Sequence, residues 1–262
     1  MNDKMKLHYY SERGMVNSII QSIYQYKSSM LAFLEGIKEK GSKTKKLLGN
    51  IVLKEIEMID VYDEISLGDF GDPDIIIKIT YTDKSRNPIL LFIEAKVGTY
   101  LNSVNKKSIF TDNSYKNNAS RINFQLRLKK RFVDAYLKNP KANVICDRTK
   151  DGTYDYKNRK LEKESLVELI KENIMAGIQA DHVYYITMTS DEDDPFPCDE
   201  NYLPFKDSSC KMGYILYDYI MKKPTNESAD GCVLHNKRLY DMFLSAKNLA
   251  NNITLLEEEG EI

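Results

Sequence analysis

Two apolar runs, DIIIKITY at 74–81 and PILLFIEAKV at 88–97, flank TDKSRN, a cluster of turn-forming residues. β-Branched and aliphatic stretches of strand length, broken by such a cluster, read as an antiparallel hairpin. Paired positions in a hairpin keep a constant sum. A hairpin symmetric about Ser85 therefore sets Asp74 opposite Lys96 and Ile76 opposite Glu94. Side chains alternate faces along a strand, so Asp74, Glu94 and Lys96 share one face while Ile75, Ile77, Ile93 and Ala95 take the other.

Carboxylates within apolar strands are costly to bury, and two neighbouring ones repel unless a cation lies between them. Asp74 and Glu94, with the Ala95 carbonyl as a further oxygen, form a hard donor set that suits Mg²⁺ or Mn²⁺ better than zinc. A cation held there polarises a phosphodiester oxygen and acidifies a bound water, while Lys96 orients that water or neutralises developing charge. The implied reaction is phosphodiester hydrolysis. Whether Lys96 is itself a base stays open, because adjacent carboxylates favour its charged form and a metal opposes it.

The rest of the chain supplies elements around this hairpin. Ser11 is placed to cap a helix with Val16, Ile19, Ile20, Ile23, Met30, Leu31 and Leu34 at helical spacing, running toward Gly41. Residues 51–65 alternate as a half-buried strand does, and the Gly-rich turn SLGDFGDP follows. A second long helix over 114–138 carries Ile122, Leu126, Leu128, Phe132, Val133 and Tyr136 and stops before Pro140. Next come a polar, irregular stretch, an amphipathic helix in LEKESLVELIKENIMAGI and a strand in HVYYITMT. An acidic loop, DEDDPFPCDE, leads to helices around YILYDYIMKK and HNKRLYDMFLSAKNLANNI.

The motif GDPD at 71–74, followed by an apolar strand ending in EAK at 94–96, resembles the signature of the PD-(D/E)XK nuclease superfamily. The resemblance implies an α/β fold, a restriction-endonuclease-like αβββαβ core whose mixed sheet is flanked by helices, and the element order above agrees with it. It covers a core of about 8–190; the length fits one domain over 1–262, with an insertion at about 140–180 and, beyond the resemblance, a C-terminal helical extension at about 205–255. Many members complete the site with a Glu on the first helix and a Gln on the helix after the signature, positions matched by Glu12 and Gln125. Glu12 is in register with Val16, Ile19 and Ile23, and Gln125 with Ile122, Leu128 and Phe132, so both are predicted to face inward. The family implies Mg²⁺- or Mn²⁺-dependent cutting of DNA, less often RNA, and a homodimer fits double-strand cutting.

Other features bound this reading. No stretch approaches the roughly 20 apolar residues of a membrane span. The start carries no apolar core before a small-residue cleavage site, and four scattered cysteines make no disulfide framework, so the expectation is a cytoplasmic protein. A net charge of −1 gives no global attraction to phosphate. The run Lys129, Lys130, Arg131, with Arg121 and Arg127 nearby, is the candidate for phosphate-backbone contact, although such runs are more often solvated faces. Cys210, Cys232 and His235, with Cys198, have weak zinc-ligand spacing, and the acidic residues 191–194 read as an ordinary surface loop. GIKEKGSKT at 36–44 imitates a phosphate-binding loop but follows a helix instead of preceding one. The rival readings are a nuclease-fold module that binds nucleic acid or assembles without cutting, and a plain structural domain with a salt-bridge network.

Overall fold

A computed structural model describes residues 11–49, 52–63, 65–96, 122–147, 159–189, 194–196, 209–222 and 231–246. In chain order the elements are α1 (Ser11–Gln25), α2 (Lys27–Gly36), β1 (Lys38–Glu39), β2 (Ile56–Asp63), β3 (Ile75–Tyr81), β4 (Ile89–Lys96) and α3 (Ile122–Lys138). They continue with β5 (Ile145–Asp147), β6 (Arg159–Leu161), α4 (Glu164–Leu169), β7 (Val183–Thr189), β8 (Lys211–Leu216) and α5 (Tyr217–Ile220). A last helix, α6, covers 237–246.

The architecture is α/β: a mixed six-stranded sheet of order β1-β8-β7-β4-β3-β2, flanked by helices. β2, β3 and β4 form an antiparallel meander, whereas β4, β7 and β8 run parallel. Parallel neighbours need a long crossover, and the stretch containing α3 supplies it between β4 and β7. β4 is therefore covered on both faces, which explains its nearly unbroken apolar sequence.

Strand alternation divides the core in two. Ile75, Ile77, Leu91, Ile93, Ala95, Ile186 and Met188 pack with α1, α2 and α6 on one face. Ile76, Leu90, Phe92, Val183, Tyr185 and Tyr214 pack with α3 on the other, together with the π-helical turn Ile170–Ile174. Lys78 lies on this second side, 7 % exposed, and its Nζ donates to the Asn173 carbonyl at 2.6 Å. Burial depresses the Lys78 pKa, while Asp60 directly across on β2 pulls the other way.

Several predicted elements differ in the structure. The helix predicted from Ser11 toward Gly41 is two helices, because Tyr26 is extended (φ −127°, ψ 115°) and stacks on His235 at 3.6 Å. It ends at Gly36, where an added Cβ would lie 2.2 Å from the Tyr219 ring, and the following residues pair with β8. The strand predicted over 51–65 begins at Ile56, after a short 3₁₀ turn at Leu53–Glu55. The residues YIL, predicted as helix, belong to β8, leaving only α5 helical there. The insertion contributes the β5–β6 hairpin and the short α4, which gives way to the π-helical turn. Among the described residues no helix is long and apolar enough to cross a membrane.

One pH dependence follows from this packing. Tyr185 is 3 % exposed and burial pushes its phenol well above the ordinary 10.0, with Cys210 and Asp134 adding smaller upward effects. The folded chain thus keeps a proton that the unfolded chain releases, so stability falls as pH rises past 10.0. The contribution is at most about 1.4 kcal/mol per pH unit. The denaturant midpoint should drop from below pH 10.0 to above it, and Tyr185→Phe should lessen the drop; an equal drop in the variant refutes this assignment.

Candidate functional site

The site begins at the turn before β3. A 3₁₀ turn over Gly68–Phe70 buries Phe70, whose ring meets Phe132 of α3 edge-on with centroids 5.6 Å apart. Gly71 then takes φ +73°, and a Cβ added there would stand 3.3 Å from Lys129 Nζ, so glycine serves both the turn and the close approach of the lysine. Asp72 and Pro73 lead to Asp74 at the mouth of β3, where Asp74 Oδ2 accepts a hydrogen bond from the Ala95 amide at 2.6 Å.

The β3–β4 ladder pairs Ile75 with Ile93 and Ile79 with Ile89. Continued by one step, it sets Asp74 across from Glu94, not from Lys96 as a hairpin centred on Ser85 predicts. The paired ladder stops at Ile79 and Ile89, short of Pro88, which has no N–H to give, and the connection turns at Asp83–Arg86. The correction moves the pairing sum by two and leaves every side chain on its predicted face.

Glu94 is 1 % exposed and Lys129 is fully buried, with Lys129 Nζ 3.0 Å from Glu94 Oε1 and 3.3 Å from the Phe70 carbonyl that accepts from it. Along the parallel ladder Glu94 is level with Thr187 and Lys96 with Thr189. Thr187 Oγ is buried without a hydrogen-bond partner among the described residues. Lys96, half-buried, is the last residue of β4 and lies on the same face as Glu94.

The direction of α3 places Gln125. Lys129 touches Glu94, and Phe132 meets Phe92 with ring centroids 6.4 Å apart, so α3 runs back along β4. Gln125, one turn before Lys129 on the same stripe, is therefore displaced toward Lys96. Its Oε1 is buried and has no hydrogen-bond partner among the described residues. Glu12 belongs to α1, whose packing is on the opposite face of the sheet from α3; its side chain lies outside the described residues.

The predicted nucleic-acid residues fare differently. Arg121 lies outside the described residues. Lys129 is a correction: it is no surface cation for a phosphate backbone but sits inside, against Glu94. Lys130 is paired with Asp134 at 2.7 Å one turn on, and Arg131 pairs with Asp147 of β5, which holds the β5–β6 hairpin against α3. The run is thus not one solvated stripe. Lys129 was legible in principle, since it shares helical register with Ile122, Leu126, Phe132 and Val133. Thr187 carried no signal until β7 was known to pair with β4.

The zinc spacing finds no support. Cys198 lies outside the described residues, Cys210 packs on the α3 side, and Cys232 adjoins Val233 and Leu234 of the opposite core. Among the described residues no group of three or more His, Cys, Asp or Glu is arranged to hold a metal. The oxygens that could hold a hard cation are two carboxylates, Asp74 and Glu94, with the buried Gln125 amide oxygen toward the same end of the sheet. An oxygen-only set of this kind fits Mg²⁺ or Mn²⁺. Of the acidic loop, 191–193 lie outside the described residues, while Asp194 accepts from the Phe196 amide and from the Gly41 amide. Comparison with protein-family models, with curated proteins and with solved structures gave no match.

Proposed function

We infer that the chain is a metal-dependent nuclease of the PD-(D/E)XK kind, with a restriction-endonuclease-like core, acting on DNA ahead of RNA. The observation that carries this reading is the buried carboxylate of Glu94 at the end of β4. It lies across from Asp74, with Gln125 Oε1, which has no hydrogen-bond partner among the described residues, and the half-buried Lys96 toward the same end. Buried polar groups are ordinarily satisfied, so Gln125 Oε1, without such a partner among the described residues, points to a ligand beside these carboxylates.

In this reading Asp74, Glu94 and the Ala95 carbonyl hold Mg²⁺ or Mn²⁺, which when bound acidifies a water and draws charge off a scissile phosphate. Asp74 is held in place by the Ala95 amide, which donates to its Oδ2. Lys96 stands where an ammonium can orient the attacking water or offset charge on the phosphate. Gln125 offers its amide to the water or to a phosphate oxygen. A second copy, each supplying one such site, fits the cutting of both strands.

The second reading is a nuclease-fold module that no longer cuts. The observation favouring it is the ion pair of Glu94 with Lys129, which already supplies the site with a cation. Incubation of DNA and RNA, single- and double-stranded, with Mg²⁺ or Mn²⁺ discriminates. The nuclease should cut at least one substrate only with metal, and Lys96→Ala should lose that activity while keeping its melting temperature. Metal-independent behaviour throughout, with no cutting, leaves the binding module.

A further inference from the structure

The nuclease reading does not use Lys129, the least exposed charged side chain among the described residues. Lys129 is fully buried, yet its ammonium is not lodged in apolar surroundings: it bridges the Glu94 carboxylate and the Phe70 carbonyl, with Gly71 close beside it, where an added Cβ would stand 3.3 Å from Nζ. A lysine held in this way is costly to desolvate, and its amine is paired with the same carboxylate that a divalent cation would need. The lysine and a metal therefore compete for one set of oxygens.

We propose that Lys129 is the built-in counter-ion of this site, holding Glu94 in place when no metal is bound and yielding Glu94 when one arrives. The proposal rests on the nuclease reading's metal site and adds to it a positioning residue and a threshold. It follows from charge: with Lys129 present the local sum of Asp74, Glu94 and Lys129 is one negative charge, and without it two. A site that must first release an internal ammonium binds the cation more weakly than its carboxylates alone would. The metal concentration at which the site fills is thereby raised, and the empty site is kept folded. The anchorage at Phe70 gives the released ammonium somewhere to remain, because its hydrogen bond to that carbonyl does not involve Glu94.

The test needs no substrate. The full chain, stripped of metal with a chelator, is titrated with Mn²⁺, and free Mn²⁺ is followed by its electron paramagnetic resonance signal while the melting temperature is recorded. Wild type, Lys129→Met and Asp74→Asn are compared. Lys129→Met should melt lower without metal, bind Mn²⁺ at a concentration about tenfold lower than wild type and gain more in melting temperature on binding. Asp74→Asn should lose the binding. Wild type that binds Mn²⁺ with the same half-saturation as Lys129→Met overturns the counter-ion role and leaves the metal site standing. Absence of Mn²⁺ binding in both overturns the metal site and the counter-ion role together. If Lys129→Met does not fold without metal, Lys129→Gln takes its place, since its amide retains a donor for the Phe70 carbonyl.

Discussion

Asp74→Asn is expected to fold as the wild type does and to lose metal-dependent phosphodiester cleavage by about 10³-fold, equivalent to about 4 kcal/mol of barrier. The asparagine Oδ1 can still accept from the Ala95 amide, so the junction of β3 with β4 keeps its hydrogen bond and only the charge is removed. That separation makes the variant more informative than alanine. Asp83→Asn is the matched control: it lies on the same hairpin but in the exposed turn, where Asp83 accepts from the Ser85 amide and hydroxyl. It should cut like wild type. Initial rates on the substrate that wild type cleaves, with melting curves for all three proteins, decide the matter. An Asp74→Asn enzyme as active as wild type removes Asp74 from the reaction.

The largest effect on stability should come from breaking the pair of Glu94 with Lys129. Both members are at most 1 % exposed, so removing either strands the other as a buried charge or forces it neutral. Lys129→Ala in metal-free buffer should cost about 3–5 kcal/mol. For a chain of this size that is a fall in melting temperature of roughly 10 °C. The double variant Glu94→Gln/Lys129→Met, which removes both charges and keeps most of the volume, should recover most of the loss, because a buried pair is worth little more than well-packed neutral groups. Denaturant unfolding of Glu94→Gln, Lys129→Met and their double variant closes the cycle. Single-variant costs below about 1 kcal/mol would show that the two charges are not acting on each other.

Much of the site was legible because its logic depends on parity and not on register. The hairpin prediction misplaced the turn, yet an error of two in the pairing sum cannot carry Asp74, Glu94 or Lys96 to the other face. What the sequence concealed was set by tertiary contacts. KMGYIL is a short apolar run with both helical and strand potential, and only the parallel ladder offered by β7 makes it β8. Tyr26 interrupts an otherwise helical stretch where residues far along the chain meet it: His235 stacks on its ring and donates its backbone N–H to Ser22 Oγ of α1. Lys129 was hidden by its neighbours: three consecutive cations suggest a wetted surface, although helical geometry turns them in three directions. One went inward to Glu94, one along the helix to Asp134 and one to the β5–β6 hairpin at Asp147.

The burial of Lys129 also bears on how opening of the molecule can be timed. An amine with no exposed surface is shielded from acylating reagents while exposed lysines such as Lys84 and Lys237 react freely. It becomes reachable only when α3 lifts from β4 or the turn at Phe70–Gly71 gives way. Its labelling rate, read peptide by peptide, is thus a clock for excursions of the site itself, separate from fraying elsewhere in the chain.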